Sequence, residues 1–123
     1  MGLNVLIVDD SSVMRKIVER SLRQASSAEI ESVVEAADGG EALDKLSTNL
    51  QVIFSDINMP NVNGIEFLKK LKETDHNGLP VIMVTTEGSE QMVMEALDLG
   101  AKGFIRKPFT PAQMQEALTK ALG

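Results

Sequence analysis

Short, nearly uninterrupted apolar runs alternate along this chain with longer stretches in which apolar residues recur every three to four positions. The runs cover residues 4–8, 30–36, 51–55, 80–84 and 102–106. Most lack polar alternation, as expected of strands covered on both faces. Each run is followed by a helical pattern. In the first, Val13, Met14, Ile17, Val18, Ser21 and Leu22 form the predicted inner face, with Arg15, Lys16, Glu19, Arg20 and Arg23 on the other side. The second runs from Gly39 to about Leu46, with Asp38 and Glu41 at capping-box spacing. The third repeats that spacing with Asn63 and Glu66 and points Ile65, Leu68 and Leu71 inward. The fourth spans roughly 89–99 and stops at Gly100. Its expected buried stripe is Val93, Ala96 and Leu97, with Met92 and Met94 on opposite flanks. The fifth opens with Thr110-Pro111, a capping residue and a proline at the first helical position, and buries Met114, Ala117, Leu118 and Ala121.

Strand–helix alternation throughout predicts an α/β fold: a doubly wound, five-stranded parallel sheet with right-handed crossovers. In such sheets ligands bind outside the carboxyl ends of the strands, where the strand order reverses. The residues at those ends therefore decide the chemistry.

Length and composition narrow the possibilities. A chain of 123 residues is expected to be one domain, 1–123. With 43% hydrophobic residues it is globular, and with no cysteine it has neither disulfides nor thiolate chemistry. A net charge of −6 argues against direct nucleic-acid binding, which needs a basic patch. The first apolar run stops at two aspartates, so it is neither a signal peptide nor a membrane span; a cytoplasmic setting is expected.

The first run leads into Asp9-Asp10, the third into Asp56, the fourth into Thr85-Thr86 and the fifth into Lys107-Pro108. Taken singly, an aspartate or threonine after a strand caps the next helix, and a loop lysine is solvated. Together, on one edge of a parallel sheet, three carboxylates repel one another unless a cation sits among them. A hard, oxygen-bound divalent ion such as Mg²⁺ resolves that repulsion and usually shares its shell with a phosphate. Lys107 and a threonine hydroxyl remain for phosphoryl oxygens. Asp9 and Asp10 are neighbours suited to holding metal. Asp56, alone on its strand, is free to attack as a carboxylate nucleophile.

The set Asp9-Asp10, Asp56-Ile57-Asn58-Met59-Pro60, Gly64, Thr85 and Lys107-Pro108-Phe109 resembles the response-regulator receiver domain over essentially the whole chain. The stretch from Ser12 to Val18 and the length look most like the stand-alone chemotaxis regulators. The resemblance implies a flavodoxin-like (βα)5 sheet in the order 2-1-3-4-5; the residue pattern alone does not supply that order. It implies a two-component phosphoacceptor switch with Asp56 as phosphoacceptor. Asp10 would ligate Mg²⁺ (or Mn²⁺) directly, Asp9 mostly through water, and Asn58 through its backbone carbonyl. Thr85 and Lys107 would bind the phosphoryl group, and the Lys107–Pro108 peptide would be cis. Implied partners are a histidine kinase or small phosphodonors, a phosphatase, and an output protein on the face of the fourth helix, fifth strand and fifth helix; nucleic acid and membrane are not among them. Asn58 and Glu87 would govern water access and give a phosphorylated state lasting seconds to minutes. Thr85 and Phe104 would form the switch. Phe104 stands where the chemotaxis regulators and many receivers have a tyrosine or another aromatic: it keeps the ring and loses the hydroxyl, and the alternative is that it simply fills the core.

Two other functions share parts of this pattern. Aspartyl-phosphate hydrolases resembling the haloacid dehalogenases place a second aspartate two residues beyond the nucleophile; here Asn58, which transfers no proton, stands there. The expectation is therefore not an enzyme of multiple turnovers but a protein catalysing only its own phosphorylation and slow dephosphorylation. The chain could also be the receiver half of a longer transcriptional regulator. It stops right after the fifth helical pattern without a linker, which favours a free-standing switch.

Overall fold

The computed structural model describes residues 2–25, 29–86 and 89–122. Over these residues five strands and five helices alternate. They are β1 (Leu3–Val8), α1 (Ser12–Ala25), β2 (Ile30–Ala36), α2 (Gly39–Asp44), β3 (Val52–Ser55), α3 (Gly64–Leu71), β4 (Val81–Thr85), α4 (Glu90–Asp98), β5 (Gly103–Arg106) and α5 (Pro111–Leu122). All pairings are parallel, in the order β2-β1-β3-β4-β5. The order reverses between β1 and β3, which places a crevice at their carboxyl ends.

Successive strand residues feed opposite layers. Leu6, Val8, Ile53, Val81 and Met83 pack with Phe67, Leu68 and Leu71 of α3 and with Ala42 and Ala96 of α2 and α4. Val5, Ile7, Val52, Phe54, Ile82, Val84 and Ile105 pack with Val18 and Leu22 of α1 and Met114 and Leu118 of α5. Coverage on both faces is why these runs carry no polar alternation. On β2, Leu3 and Asn4 pair with Ile30 and Ser32, so Glu31 is an extra residue at a register break. Such a bulge changes side-chain parity, and Ile30 and Val33 consequently face the same layer.

Three helices differ from the sequence expectation. Val13 is 68% and Ile17 41% exposed; neither belongs to the inner face of α1. That face is the narrower i, i+4, i+8 stripe of Met14, Val18 and Leu22, which suffices because, among the described residues, α1 packs chiefly on β1, β2 and α5. In α4 the buried stripe is rotated by one residue. Met92, Ala96 and Leu99 pack inward, whereas Leu97 is exposed and Val93 half-buried. The second helix stops at Asp44 instead of about Leu46, because Lys45 and Leu46 donate to carbonyls only three residues back and tighten the last turn. The remaining caps follow expectation. Asp38 accepts from Glu41, Asn63 and Glu66 form a reciprocal capping box, and Thr110 accepts from Gln113. Gly100 ends α4 at φ 101°. No helix among the described residues is long and apolar enough to cross a membrane.

Candidate functional site

The strand register assembles the site. Val8 pairs with Ser55, and the Asp56 N–H donates to the Val8 carbonyl at 2.8 Å. The residues just beyond each strand, Asp9-Asp10 and Asp56, are thereby brought side by side. One oxygen from each of Asp9, Asp10 and Asp56 lies within 4.8 Å of the others. Asp9 and Asp56 are buried and Asp10 is exposed. Lys107, beyond β5, reaches across the crevice; its Nζ lies 2.8 Å from Asp9 Oδ2 and 3.3 Å from Asp56 Oδ2. Its side chain is only 7% exposed. The Lys107–Pro108 peptide is cis, as the resemblance leads one to expect.

The other Asp56 oxygen, Oδ1, accepts the Ile57 N–H at 2.6 Å. The loop after it doubles back sharply: the Gly64 N–H donates to the Ile57 carbonyl at 2.8 Å. A Cβ at Gly64 would collide with the Asp56 carbonyl oxygen and would stand 2.8 Å from Ile57 Cα. Glycine is required there by close backbone approach and not by dihedral angle. Asn61, at φ 63°, turns the same loop and donates to Asp38 at 3.1 Å, tying it to the cap of α2.

The charges fit a divalent cation. Three carboxylates face one ammonium, leaving two negative charges uncompensated in a partly buried crevice. Oxygen donors of this kind suit Mg²⁺, Mn²⁺ or Ca²⁺ and not a soft metal. Asp9, Asp10 and Asp56 could therefore hold a metal ion.

Thr85 ends β4 fully buried, and its carbonyl accepts the Lys107 N–H at 2.9 Å. Phe104 pairs with Met83 in register and is half-buried against the α3–α4 layer. Asn58 is exposed beside the site. Glu87, expected to share control of water access, lies outside the described residues.

One participant was misplaced by the sequence reading. Arg15 does not stand on a solvated face: its Nη1 donates to the Asp9 carbonyl at 2.6 Å and its Nε to Glu35 Oε1 at 2.9 Å. Lys16 donates to the other Glu35 oxygen at 2.8 Å. That bond, opposed by partial desolvation and reinforced by Arg15, holds the Glu35 carboxyl below its usual range. A signal for Arg15 exists in the sequence: the first turn of a helix repels cations, so an arginine there needs a partner.

The fold and crevice define an α/β protein with an acidic, lysine-closed site at a topological switch point. The family model for the response regulator receiver domain matches residues 5–119, and the chain belongs to that family. A chemotaxis protein CheY homolog from Campylobacter jejuni is 42% identical over 98% of this chain and 93% of its own length. Among solved structures, Vibrio cholerae chemotaxis protein CheY4 superposes with a TM-score of 0.85 at 38% identity, covering 99% of this chain and 100% of that one. A chain of the CheX-CheY-BeF3-Mg²⁺ complex from Borrelia burgdorferi gives 0.85 at 35% identity, covering 98% and 90%. CheY-type receivers are signalling switches and not classical enzymes.

Proposed function

We propose that this chain is a cytoplasmic phosphoacceptor switch of chemotaxis or motility control, phosphorylated on Asp56 by a histidine kinase with Mg²⁺ bound at Asp9, Asp10, Asp56 and the Asn58 carbonyl. The observation that carries it is the meeting of three carboxylates with Lys107 at the ends of β1, β3 and β5, in a chain of this family. A similar chain in complex with BeF3 and Mg²⁺ supports the choice of ion.

In the reaction an Asp56 carboxylate oxygen forms a bond to phosphorus while the phosphorus–nitrogen bond of phosphohistidine breaks, and the leaving imidazole takes up a proton. The bound cation would neutralise charge on the transferring group. The residues do the rest. The Ile57 N–H fixes one Asp56 oxygen. Lys107, already resting more closely on Asp9 than on Asp56, moves its ammonium to a phosphoryl oxygen. Thr85 supplies a hydroxyl to another. Its displacement vacates space that Phe104 takes up, and the α4–β5–α5 face changes its affinity for an output protein. Hydrolysis is slow because Asn58 cannot act as a general acid or base; the residue types at positions 58 and 87 match the chemotaxis-like pattern that tunes access of water or a phosphatase side chain.

Acetyl phosphate with Mg²⁺ should add a single phosphoryl group, seen by mass spectrometry, and Asp56→Asn should abolish it. Undiminished labelling of that variant would sink the assignment. A label that decays in seconds to minutes marks the switch, whereas steady multiple-turnover release of phosphate would mark a hydrolase. Millimolar Mg²⁺ should raise the melting temperature by mass action. Asp10→Asn should lose that response while melting higher than the metal-free parent, because one repelling carboxylate is gone.

A further inference from the structure

We propose that Arg15 is a positioning residue for the metal-binding loop, acting through the main chain of Asp9. The proposal rests on the reading of Asp9, Asp10 and Asp56 as metal ligands. Arg15 belongs to the first turn of α1, where the macrodipole gives it no support, and that turn holds no acidic residue. Its side chain is nevertheless only 17% exposed, against 66% for Lys16 beside it. The guanidinium spans two elements. It binds the Asp9 carbonyl just past β1 and the Glu35 carboxylate on β2, the residue paired with Ile7. A planar, forked donor suits two acceptors held at a fixed angle.

The consequence lies in the peptide group. The Asp9 carbonyl belongs to the planar unit that leads into Asp10, so holding that oxygen fixes the direction in which Asp10 leaves the strand. Every other polar atom of Asp9 is also engaged: its N–H donates to Ala36, Oδ1 accepts from Ser11 and Oδ2 from Lys107. Asp10 is exposed, and the Arg15 brace bears directly on the peptide that carries it. The charge of Arg15 would act in the opposite direction, since a guanidinium near the crevice disfavours a divalent cation. Glu35, which Lys16 shares, offsets that charge only in part. The two roles therefore predict opposite signs for the same substitution.

Calorimetric titration of the full chain with Mg²⁺ alone separates them. Arg15→Met keeps the apolar stem and removes both donors. It should weaken Mg²⁺ binding on the order of tenfold, the low end of losses for outer-shell partners of metal ligands. Arg15→Lys should bind between Arg15→Met and the parent. Equal or tighter binding by Arg15→Met would overturn the proposal, even with a lowered melting temperature, because a purely structural role moves stability and not affinity. Should Arg15→Met fail to fold, Arg15→Lys decides: weaker binding than the parent supports the brace, and parental affinity refutes it. A parent chain that binds no Mg²⁺ would overturn the metal-site reading itself, before any variant is compared.

Discussion

Helices α3 and α4 lie in the same layer, have similar lengths and are both capped at the N-terminus, yet the sheet holds them very differently. Over its eight residues α3 buries Gly64, Ile65, Phe67, Leu68 and Leu71. Over nine, α4 buries only Ala96 and leaves Met94 58% and Leu97 48% exposed. The chain leading into α3 is pinned twice, by Gly64 against the backbone of Asp56 and Ile57 and by Asn61 on Asp38. Full burial of large side chains makes α3 an extension of the core. Few buried contacts put α4 at the low-stability end, from which moving elements are drawn. The helix after the Asp56 loop is thus scaffold, whereas the one following Thr85 is held to the sheet by far fewer buried side chains.

That contrast can be broken by substitution. Phe67→Ala, at a fully buried site, should cost about 3–5 kcal/mol in denaturant unfolding. A loss under about 1 kcal/mol would remove α3 from the scaffold. Gly64→Ala should cost about 1–3 kcal/mol by overpacking, because its Cβ meets backbone and not a yielding side-chain tip. Phosphorylation of the folded fraction should fall as well, since the Asp56 carbonyl is displaced. On α4, Leu97→Ala and Met94→Glu should each change stability by no more than about 0.5 kcal/mol. Met94→Glu should nonetheless abolish binding of the output partner in a pull-down while leaving Asp56 phosphorylation intact; full partner binding would take Met94 out of that face.

The smallest effect concerns the caps. Asp38 accepts from the Glu41 N–H and from Asn61, and these bonds hold its carboxyl below the usual aspartate range. Because the folded value is depressed, the stability it contributes is present above the unfolded value of 3.8 and is lost as pH falls through the folded one. The melting temperatures of the parent and Asp38→Asn should differ at neutral pH and converge as acid titrates the group away. The cap of α4 is Ser89, which does not titrate, so a Ser89→Ala difference should persist over the same range.

The order of elements, the caps at Asp38, Asn63 and Thr110, and the residues at the strand ends were determined by the sequence itself. These depend on local spacing, on turn chemistry, and on the rule that a strand buried on both faces carries no polar alternation. The strand order was legible only through resemblance to a family, because hydrophobic runs carry no label for which neighbour they pair with. Helix facing was decided by tertiary structure. Val13, Ile17 and Leu97 are apolar and periodic, but how wide a stripe is covered depends on what lies opposite. For α1 that is chiefly the sheet and α5, and for α4 it is a contact centred one residue away from the expected stripe. Arg15 shows the converse: a charge that periodicity assigns to solvent is drawn to the Asp9 carbonyl and Glu35, partners that only folding brings within 3 Å.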